Sequence, residues 1–150
     1  MSTAYSPMRI IEPETPSDLE KYFNLRYEIL RKPWNQPVDS TKDEWEDQSI
    51  HVLMLNEREE AIACGRLQIN SKDEGQIRSM AVLTALQGKG LGKKIIDYIE
   101  KRADGLKMKT IVLDARINAV KFYESCGYKV VAESYLLFGI IPHFKMEKKL

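Results

Sequence analysis

The chain of 150 residues is poor in the side chains that bind metals or form disulfide frameworks. It contains two cysteines, Cys64 and Cys126, and two histidines, His51 and His143, and none of the four lies close to another along the chain. Since a structural zinc site is built from closely spaced Cys and His ligands, we expect no metal site. Both cysteines lie in apolar stretches, so we expect buried, reduced thiols rather than a disulfide.

Long apolar runs and an excess of charge are missing as well. No apolar run approaches the roughly 20 residues that a membrane-spanning helix needs, and Met1–Met8 lacks the apolar core of a signal peptide. The 23 basic residues nearly balance the 22 acidic ones, which leaves a net charge of +1 and no strong field toward nucleic acid or an anionic membrane. We therefore expect a cytoplasmic protein that binds neither.

The composition that remains is that of a globular protein. Hydrophobic residues make up 43% of the chain and charged residues 30%, a balance that argues against disorder. At this length we predict one domain spanning residues 1–150.

The order of the predicted elements indicates a mixed α/β fold with helices packed on a sheet. Apolar residues at helical spacing predict three helices. The first begins at a Ser17–Glu20 capping box and runs to about Arg31. The second ends at Gly105, and the third spans Asn118–Cys126. Short apolar runs typical of strands occur at Met8–Ile11, His51–Leu55, Ala61–Ile69, Gln76–Val82, Thr110–Leu113, Tyr128–Ala132 and Phe144–Met146. Gly65, inside the third of these runs, indicates a bulge or a close approach of another backbone.

A polar segment, Trp34–Gln48, separates the first helix from the second strand. Five of the nine residues from 39 to 47 are acidic. We interpret this acidic segment as a solvated loop or a short surface helix; the alternative is a wall of the entrance for a cationic amine. Arg66 and Arg78, on neighbouring strands, are predicted to face solvent, with the binding of an acidic substrate group as the alternative.

The most informative segment is Gln87-Gly88-Lys89-Gly90-Leu91-Gly92-Lys93-Lys94, here called the glycine loop. It lies between a strand and an amphipathic helix, where glycines allow a ligand to approach the backbone and leave the first helical N–H groups free for an anion. The spacing fits neither the G-x-x-x-x-G-K-[ST] of a P-loop nor the G-x-G-x-x-G of a dinucleotide site. The sequence therefore predicts a phosphate or pyrophosphate site of another kind.

Two motifs stand out along the chain. The first is Gln87-x-x-Gly90-x-Gly92, a few residues after the strand that ends in Met80-Ala81-Val82. The second is Ala119-x-x-Phe122-Tyr123, followed by Gly127-Tyr128. Together they resemble the motifs of the GNAT superfamily of N-acetyltransferases. The ending Pro142-His143-x-x-Met146 resembles the ElaA-like branch of the superfamily.

The resemblance implies a single-domain GNAT-like fold, a mixed and mostly antiparallel central sheet flanked by helices. It also implies acetyl-CoA as co-substrate, no metal, and direct transfer to a primary amine of a small molecule or peptide in a ternary complex. Arg116 stands where many relatives have a CoA-contacting Asn, and Asn118 is the alternative contact. The implied CoA-binding residues are Met80, Ala81, Val82, Gln87, Gly88, Lys89, Gly90, Leu91, Gly92, Lys93, Arg116 and Asn118.

Catalysis in such a site needs an acid and a base. Tyr123 is the candidate acid for the leaving thiolate, because a phenol with a reference pKa of about 10 stays protonated at neutral pH. The acceptor amine is mostly protonated at pH 7 and needs a base, for which Glu133 and His143 are candidates and a water relay is the alternative.

Two other functions stay open at this point. One is a non-catalytic CoA-binding regulatory module, and the other is a nucleotide- or phosphate-binding protein that shares only the glycine loop. The resemblance also leaves a homodimer, paired through the C-terminal strands, as an alternative to a monomer.

Overall fold

A computed structural model describes residues 8–150; residues 1–7, which hold most of the segment inspected for a signal peptide, lie outside the described part. The strands are β1 (Arg9–Ile11), β2 (Ser49–Leu55), β3 (Ala61–Ile69), β4 (Glu74–Val82), β5 (Thr110–Arg116), β6 (Lys129–Leu137) and β7 (Ile141–Lys149). The α-helices are α1 (Pro16–Leu30), α2 (Leu91–Gly105) and α3 (Val120–Ser125). None of the described helices is long and apolar enough to cross a membrane.

The seven strands form one mixed sheet in the order β1-β2-β3-β4-β5-β7-β6. Every neighbouring pair is antiparallel except β4 and β5, which run parallel because α2 connects them. The predicted fold, a mostly antiparallel sheet flanked by helices, is confirmed. The one parallel pair lies in the middle of the sheet.

Helices cover both faces of the sheet. On one face, α2 buries Ile95, Ile96 and Ile99 in the larger core cluster, to which Tyr123 and Cys126 at α3 also belong. On the other face, α1 buries Tyr22 and Leu25 against β2, β3 and β4. Both cysteines are free and buried, as predicted.

A bulge interrupts β4 where it faces Gly65. Cys64 pairs with Ala81 and Arg66 pairs with Arg78, so two residues of β4, Ser79 and Met80, stand opposite Gly65 alone. Ser79 adopts a left-handed conformation with φ 56°. The predicted bulge is present, but the close neighbours of Gly65 are side chains and not another backbone: a Cβ on Gly65 would lie 2.8 Å from the Ile95 side chain of α2 and 2.8 Å from the Met80 sulfur.

The capping-box prediction for α1 is wrong. The N-cap is Thr15, whose Oγ1 accepts a hydrogen bond from the Asp18 N–H at 3.1 Å. The helix therefore starts at Pro16, since proline has no N–H to leave unpaired in the first turn.

The predicted bounds near the C-terminus are too short for the strands and too long for α3. Ile117–Ala119 forms a 3-10 turn before α3. The hairpin of β6 and β7 extends to Leu137 and Ile141, so β7 begins three residues before Phe144 and includes Pro142. A strand continues as long as its partner does, and that pairing is not visible in a local apolar run.

Candidate active site

The sheet opens between β4 and β5. Their pairing runs from Glu74 and Thr110 to Ile77 and Leu113, whereas β4 continues to Val82 and β5 to Arg116. Beyond the last pair the two strands separate, and because they are parallel their unpaired carboxyl ends lie at the same edge of the sheet and form an opening, here called the fork. The backbone groups of β4 that point into the fork have no partner on β5 and are available to a ligand.

The glycine loop leads from the end of β4 to the start of α2. Gly88 and Gly90 adopt positive φ angles of 80° and 84°, and no atom lies within 4 Å of where a Cβ would stand on either residue. Gly90 is the N-cap of α2 and provides no side-chain hydrogen bond to the first turn. The first N–H groups of this 15-residue helix thus face an open space, a geometry that suits a phosphate group.

Two contacts hold the glycine loop in place. The Gln87 amide donates a hydrogen bond from Nε2 to the Val82 carbonyl at 3.2 Å, which ties the loop to the strand end. Gly92 packs against Phe122 of α3, since its Cβ position lies 3.0 Å from the ring. Lys93 pairs with Asp97 at 3.4 Å on the exposed side of α2.

Tyr123 lies on α3, on the same face of the sheet as α2. Its ring packs edge-on against Phe122 and Tyr128, with centroid distances of 5.1 and 6.1 Å. Burial, with a smaller effect from Cys126, raises the pKa of its hydroxyl, and the nearby Arg116 opposes the shift. The phenol is therefore protonated at neutral pH, the state that an acid needs.

His143 is buried on β7, and its tautomer follows from its hydrogen bond. Nδ1 lies 2.9 Å from the Ile141 carbonyl, which can only accept, so Nδ1 carries a proton and Nε2 is left for another partner. The ring stacks on Tyr135 with a centroid distance of 4.6 Å.

The structure does not bring Glu133 and His143 together. Glu133 is exposed on the edge strand β6 and stands opposite Phe144. Directly opposed residues of an antiparallel pair share a face, while consecutive residues of a strand alternate. Glu133 therefore lies on the face of α3, and His143 lies on the face of α1.

The comparisons with known proteins agree with this geometry. Residues 24–150 match the family model described as an acetyltransferase (GNAT) domain. The chain belongs to the GNAT acetyltransferase family. It is a GNAT-type N-acetyltransferase, and the family uses an acyl-CoA donor. The uncharacterized N-acetyltransferase YjcF of Bacillus subtilis (strain 168) is similar to it, with 29% identity over 141 residues that cover 94% of this chain and 99% of YjcF.

Solved GNAT structures share the fold at low sequence identity. A protein assigned as an N-acetyltransferase from Lactobacillus plantarum superposes with a TM-score of 0.86 at 23% identity, covering 97% of this chain and 99% of that one. Escherichia coli ElaA gives 0.77 at 20% identity, covering 96% and 99%. An aminoglycoside 6'-N-acetyltransferase complexed with coenzyme A gives 0.75 at 16% identity, covering 96% and 97%. ElaA is thus one neighbour among several, and the branch within the GNAT family is not resolved.

The acidic segment of this GNAT chain is not a solvated loop. Arg66, which we predicted to face solvent, is fully buried, and Arg26 of α1 is only 2% exposed. Glu46 accepts hydrogen bonds from both, at 2.8 and 3.0 Å from Arg26 and 2.8 Å from Arg66, and Asp43 accepts two more from Arg66 at 3.0 and 2.9 Å. These four residues are here called the arginine clamp, and they fix the segment onto the sheet.

Electrostatics within the arginine clamp favour the charged forms. Burial disfavours the ionised Glu46, but hydrogen bonds from Arg26 and from the Asp43 N–H, together with the charges of Arg26 and Arg66, outweigh burial and lower the pKa of Glu46. The Glu46 carbonyl accepts from Nε2 of His51, whose Nδ1 in turn accepts from the Tyr22 hydroxyl at 2.7 Å. Arg26 and Glu46 were not among the predicted site residues; the available signal was an arginine on the apolar side of a helix.

The other residues predicted to contact CoA do not all lie on the same face of the sheet at the fork. Met80, Ala81 and Val82 form the end of β4, and Asn118 is exposed in the turn before α3. Arg116 instead lies 5.7 Å from the Trp34 ring centroid. Since its neighbour Ala115 belongs to the core beneath α2, Arg116 points to the α1 face, opposite the glycine loop.

Proposed function

We propose that this chain transfers the acetyl group of acetyl-CoA directly to a primary amine of a small molecule or peptide, within a ternary complex. The observation that carries the proposal is the position of the glycine loop, which joins the end of β4 at the fork to the uncapped start of α2. A bound pyrophosphate at the helix start and an acyl group at the strand end would then be parts of one extended ligand.

Residues 80–93 suit the binding of the acetyl-CoA donor. The open glycines Gly88 and Gly90, with Leu91 and Gly92 at the helix start, offer N–H groups to the pyrophosphate, and Lys89 and Lys93 add positive charge. The N–H groups of Met80, Ala81 and Val82 that face the fork would hold the thioester carbonyl and stabilise its developing negative charge; a donor of this kind contributes about 3 kcal/mol in comparable sites.

The reaction needs two proton transfers around the fork. The amine nitrogen forms a bond to the acyl carbon, the carbon–sulfur bond breaks, and Tyr123 supplies the proton that the departing sulfur takes up. His143 is the better placed of the two candidate bases, because it lies on the α1 face beside Arg116 and its hydrogen bond to the Ile141 carbonyl engages Nδ1 and not Nε2. The amine proton passes to it directly or through water.

Thermal unfolding with acetyl-CoA, CoA, ATP and NAD tests the donor. A ligand at about 100 times its Kd adds about 2.7 kcal/mol of stability, which is a rise of roughly 5–10 °C for a domain of this size. We expect the rise with acetyl-CoA and CoA alone. A rise with ATP and none with CoA would contradict the proposal.

The Tyr123→Phe variant tests catalysis against mere CoA binding. Loss of a general acid lowers turnover by about 10²- to 10⁴-fold, while the acetyl-CoA Kd stays within about twofold because the glycine loop is untouched. Release of CoA thiol, corrected for hydrolysis, measures turnover. If wild-type protein binds acetyl-CoA but acetylates no amine of a broad panel, the chain is a CoA-binding regulatory module instead.

A further inference from the structure

The α1 face of the fork holds three arginines without a carboxylate partner. They are Arg31 at the end of α1, Arg78 on β4 where the fork begins, and Arg116 at the end of β5; we call them the arginine cluster. Among residues 8–150 none of the three forms a salt bridge, whereas both arginines of the clamp are ion-paired, Arg26 with Glu46 and Arg66 with Asp43 and Glu46.

Backbone register and side-chain contacts place the arginine cluster around one space. Arg78 stands opposite Arg66 in the β3–β4 register, on the face that α1 covers, and Arg116 stands opposite His143 in the β5–β7 register. His143 stacks on Tyr135 of β6. The group therefore borders the position of the candidate base.

Aromatic side chains close the far side of this space. The Trp34 ring lies between Arg116, at 5.7 Å, and Phe138 of the β6–β7 turn, at 6.3 Å. Arg31 donates only to backbone carbonyls, from Nε to Ser40 and from Nη1 to Leu30, both at 3.2 Å. Its charge thus has no carboxylate partner within the described chain.

The electrostatics at Arg31 agree with this placement. Burial lowers the pKa of Arg31, and the charges of Arg26, Arg116 and Arg78 lower it further, while Tyr135 opposes the shift. The net charge of the whole chain is only +1, so this concentration of positive charge is local. An anion placed among the three would relieve the repulsion and accept hydrogen bonds from planar guanidinium groups, which match carboxylate and phosphate geometry.

The nearby acidic groups are already engaged elsewhere. Asp43, although it feels the charge of Arg78, accepts two hydrogen bonds from Arg66 and one from the Trp45 N–H at 2.8 Å. Asp114 accepts from Ser134 at 2.7 Å and from Gln76 at 3.4 Å. Neither carboxylate neutralises the arginine cluster.

We propose that the acceptor is a primary amine that also carries an anionic group, a carboxylate or a phosphate, which the arginine cluster binds while the amine points into the fork. This inference rests on the proposed acetyl transfer and names its substrate class. It replaces the interpretation of the acidic segment as a wall for cationic amines, since the clamp carboxylates are turned toward buried arginines.

Matched acceptor pairs test the proposal. The probes are 5-aminovalerate against pentylamine and 1,5-diaminopentane for a carboxylate, and O-phosphoethanolamine against ethanolamine for a phosphate. We expect kcat/KM for at least one anionic amine to exceed that of its neutral counterpart by tenfold or more, and the pair that responds identifies the anion. Equal rates within both pairs, or preference for the diamine, would overturn the proposal.

Charge-neutral variants locate the effect. Arg78→Gln and Arg31→Gln should each reduce the anionic preference at least tenfold and leave the KM of acetyl-CoA unchanged. Arg58→Gln removes the same charge from the exposed turn between β2 and β3 and should leave the preference intact. An unchanged preference in both cluster variants would refute the assignment. If Arg78→Gln melts early, Arg78→Lys keeps the charge and still loses the planar pairing.

Binding separates this inference from the proposed function. If no amine releases CoA thiol, acetyl transfer fails, and the acceptor proposal is then decided by titration calorimetry of 5-aminovalerate and O-phosphoethanolamine in the presence of CoA. Binding of either anion at least tenfold tighter than its neutral counterpart, and lost in Arg78→Gln, supports the arginine cluster as the anion site. Absence of that difference overturns it.

Discussion

Replacing Glu46 by glutamine tests whether the arginine clamp stabilises the fold, because it exchanges one carboxylate oxygen for an NH₂ group. Glu46 accepts three hydrogen bonds from two guanidinium groups, and its own side chain is 13% exposed while those of Arg26 and Arg66 are 3% and 0% exposed. Glutamine keeps the shape and one acceptor oxygen but removes the negative charge. Arg26 then has no carboxylate partner: apart from the one amide oxygen, for which Arg66 competes, it retains the Thr41 carbonyl at 2.6 Å and the long contact to Tyr22 at 3.4 Å.

The expected cost follows from burial. Removing one partner of a buried ion pair costs about 3–5 kcal/mol because the remaining charge is left without compensation. We take the lower end, about 3 kcal/mol, since Asp43 still pairs with Arg66. For a domain of this size this corresponds to a fall in Tm of roughly 6–12 °C.

Glu59→Gln is the matched control. Glu59 pairs with Arg9 at 2.6 Å, but both side chains are more than two-fifths exposed, and an exposed pair contributes less than about 1 kcal/mol. Thermal melting and urea unfolding of the wild type and the two variants give the comparison. A Glu46→Gln loss no larger than that of Glu59→Gln would refute the arginine clamp as a stabilising element.

The pH dependence gives a second check on the same residue. The pKa of Glu46 is lowered in the folded state, so below pH 4.5 the unfolded chain binds the proton first and the wild type loses stability. The glutamine variant has no such group. The difference in stability between the two should therefore be full above about pH 4.5 and shrink as the pH falls through the lowered pKa.

Three further predictions concern single residues. Gly90→Ala should weaken acetyl-CoA binding at least tenfold in calorimetric titration and cost about 1–2 kcal/mol, because φ is 84°. Gly105→Ala, in open space outside the positive-φ region, is the control: it should leave binding unchanged and raise stability by about 0.5–1 kcal/mol, since alanine favours a helix over glycine. Gly65→Ala should lower the free energy of unfolding in urea by about 1–3 kcal/mol, because its Cβ would lie 2.8 Å from Ile95; unchanged stability would mean that α2 can shift away. Burial lowers the pKa of His51, so the folded state favours the neutral ring and the free energy of unfolding should fall below about pH 6.5. The urea midpoints at pH 7.5 and 5.5 should therefore differ more in the wild type than in His51→Gln. Equal differences in the two proteins would contradict this prediction.

Local patterns predicted the elements but not their partners. Apolar periodicity placed all seven strands and three helices in the right order, and the spacing of Gly88, Gly90 and Gly92 identified the loop before α2. The fork was not predictable, because where β4 leaves β5 depends on pairing between residues more than 30 positions apart. The role of each CoA-contacting residue stays a prediction, as do the roles of Glu133 and His143. The homodimer also stays a prediction.

Buried charge was the main source of error. Arg66 stands within an apolar strand, where a charged residue usually points outward. The carboxylates that compensate it, Asp43 and Glu46, lie some 20 residues earlier in a segment whose composition resembles that of a solvated loop. Pairing across that distance is a property of the tertiary structure, and composition alone gives the opposite interpretation.

The two halves of the proposed site differ in how the chain encodes them. The part that binds the acyl-CoA donor is almost one continuous segment, from Met80 to Lys93, in which the turn geometry limits the backbone conformation of successive residues. The arginine cluster draws its members from three separate parts of the chain: the C-cap of α1, β4 and β5. On this proposal, one substitution at Arg31, Arg78 or Arg116 changes the preference for the acceptor without altering the donor segment. Proteins that descend from this chain can therefore change their acceptor one substitution at a time and keep the same acyl donor.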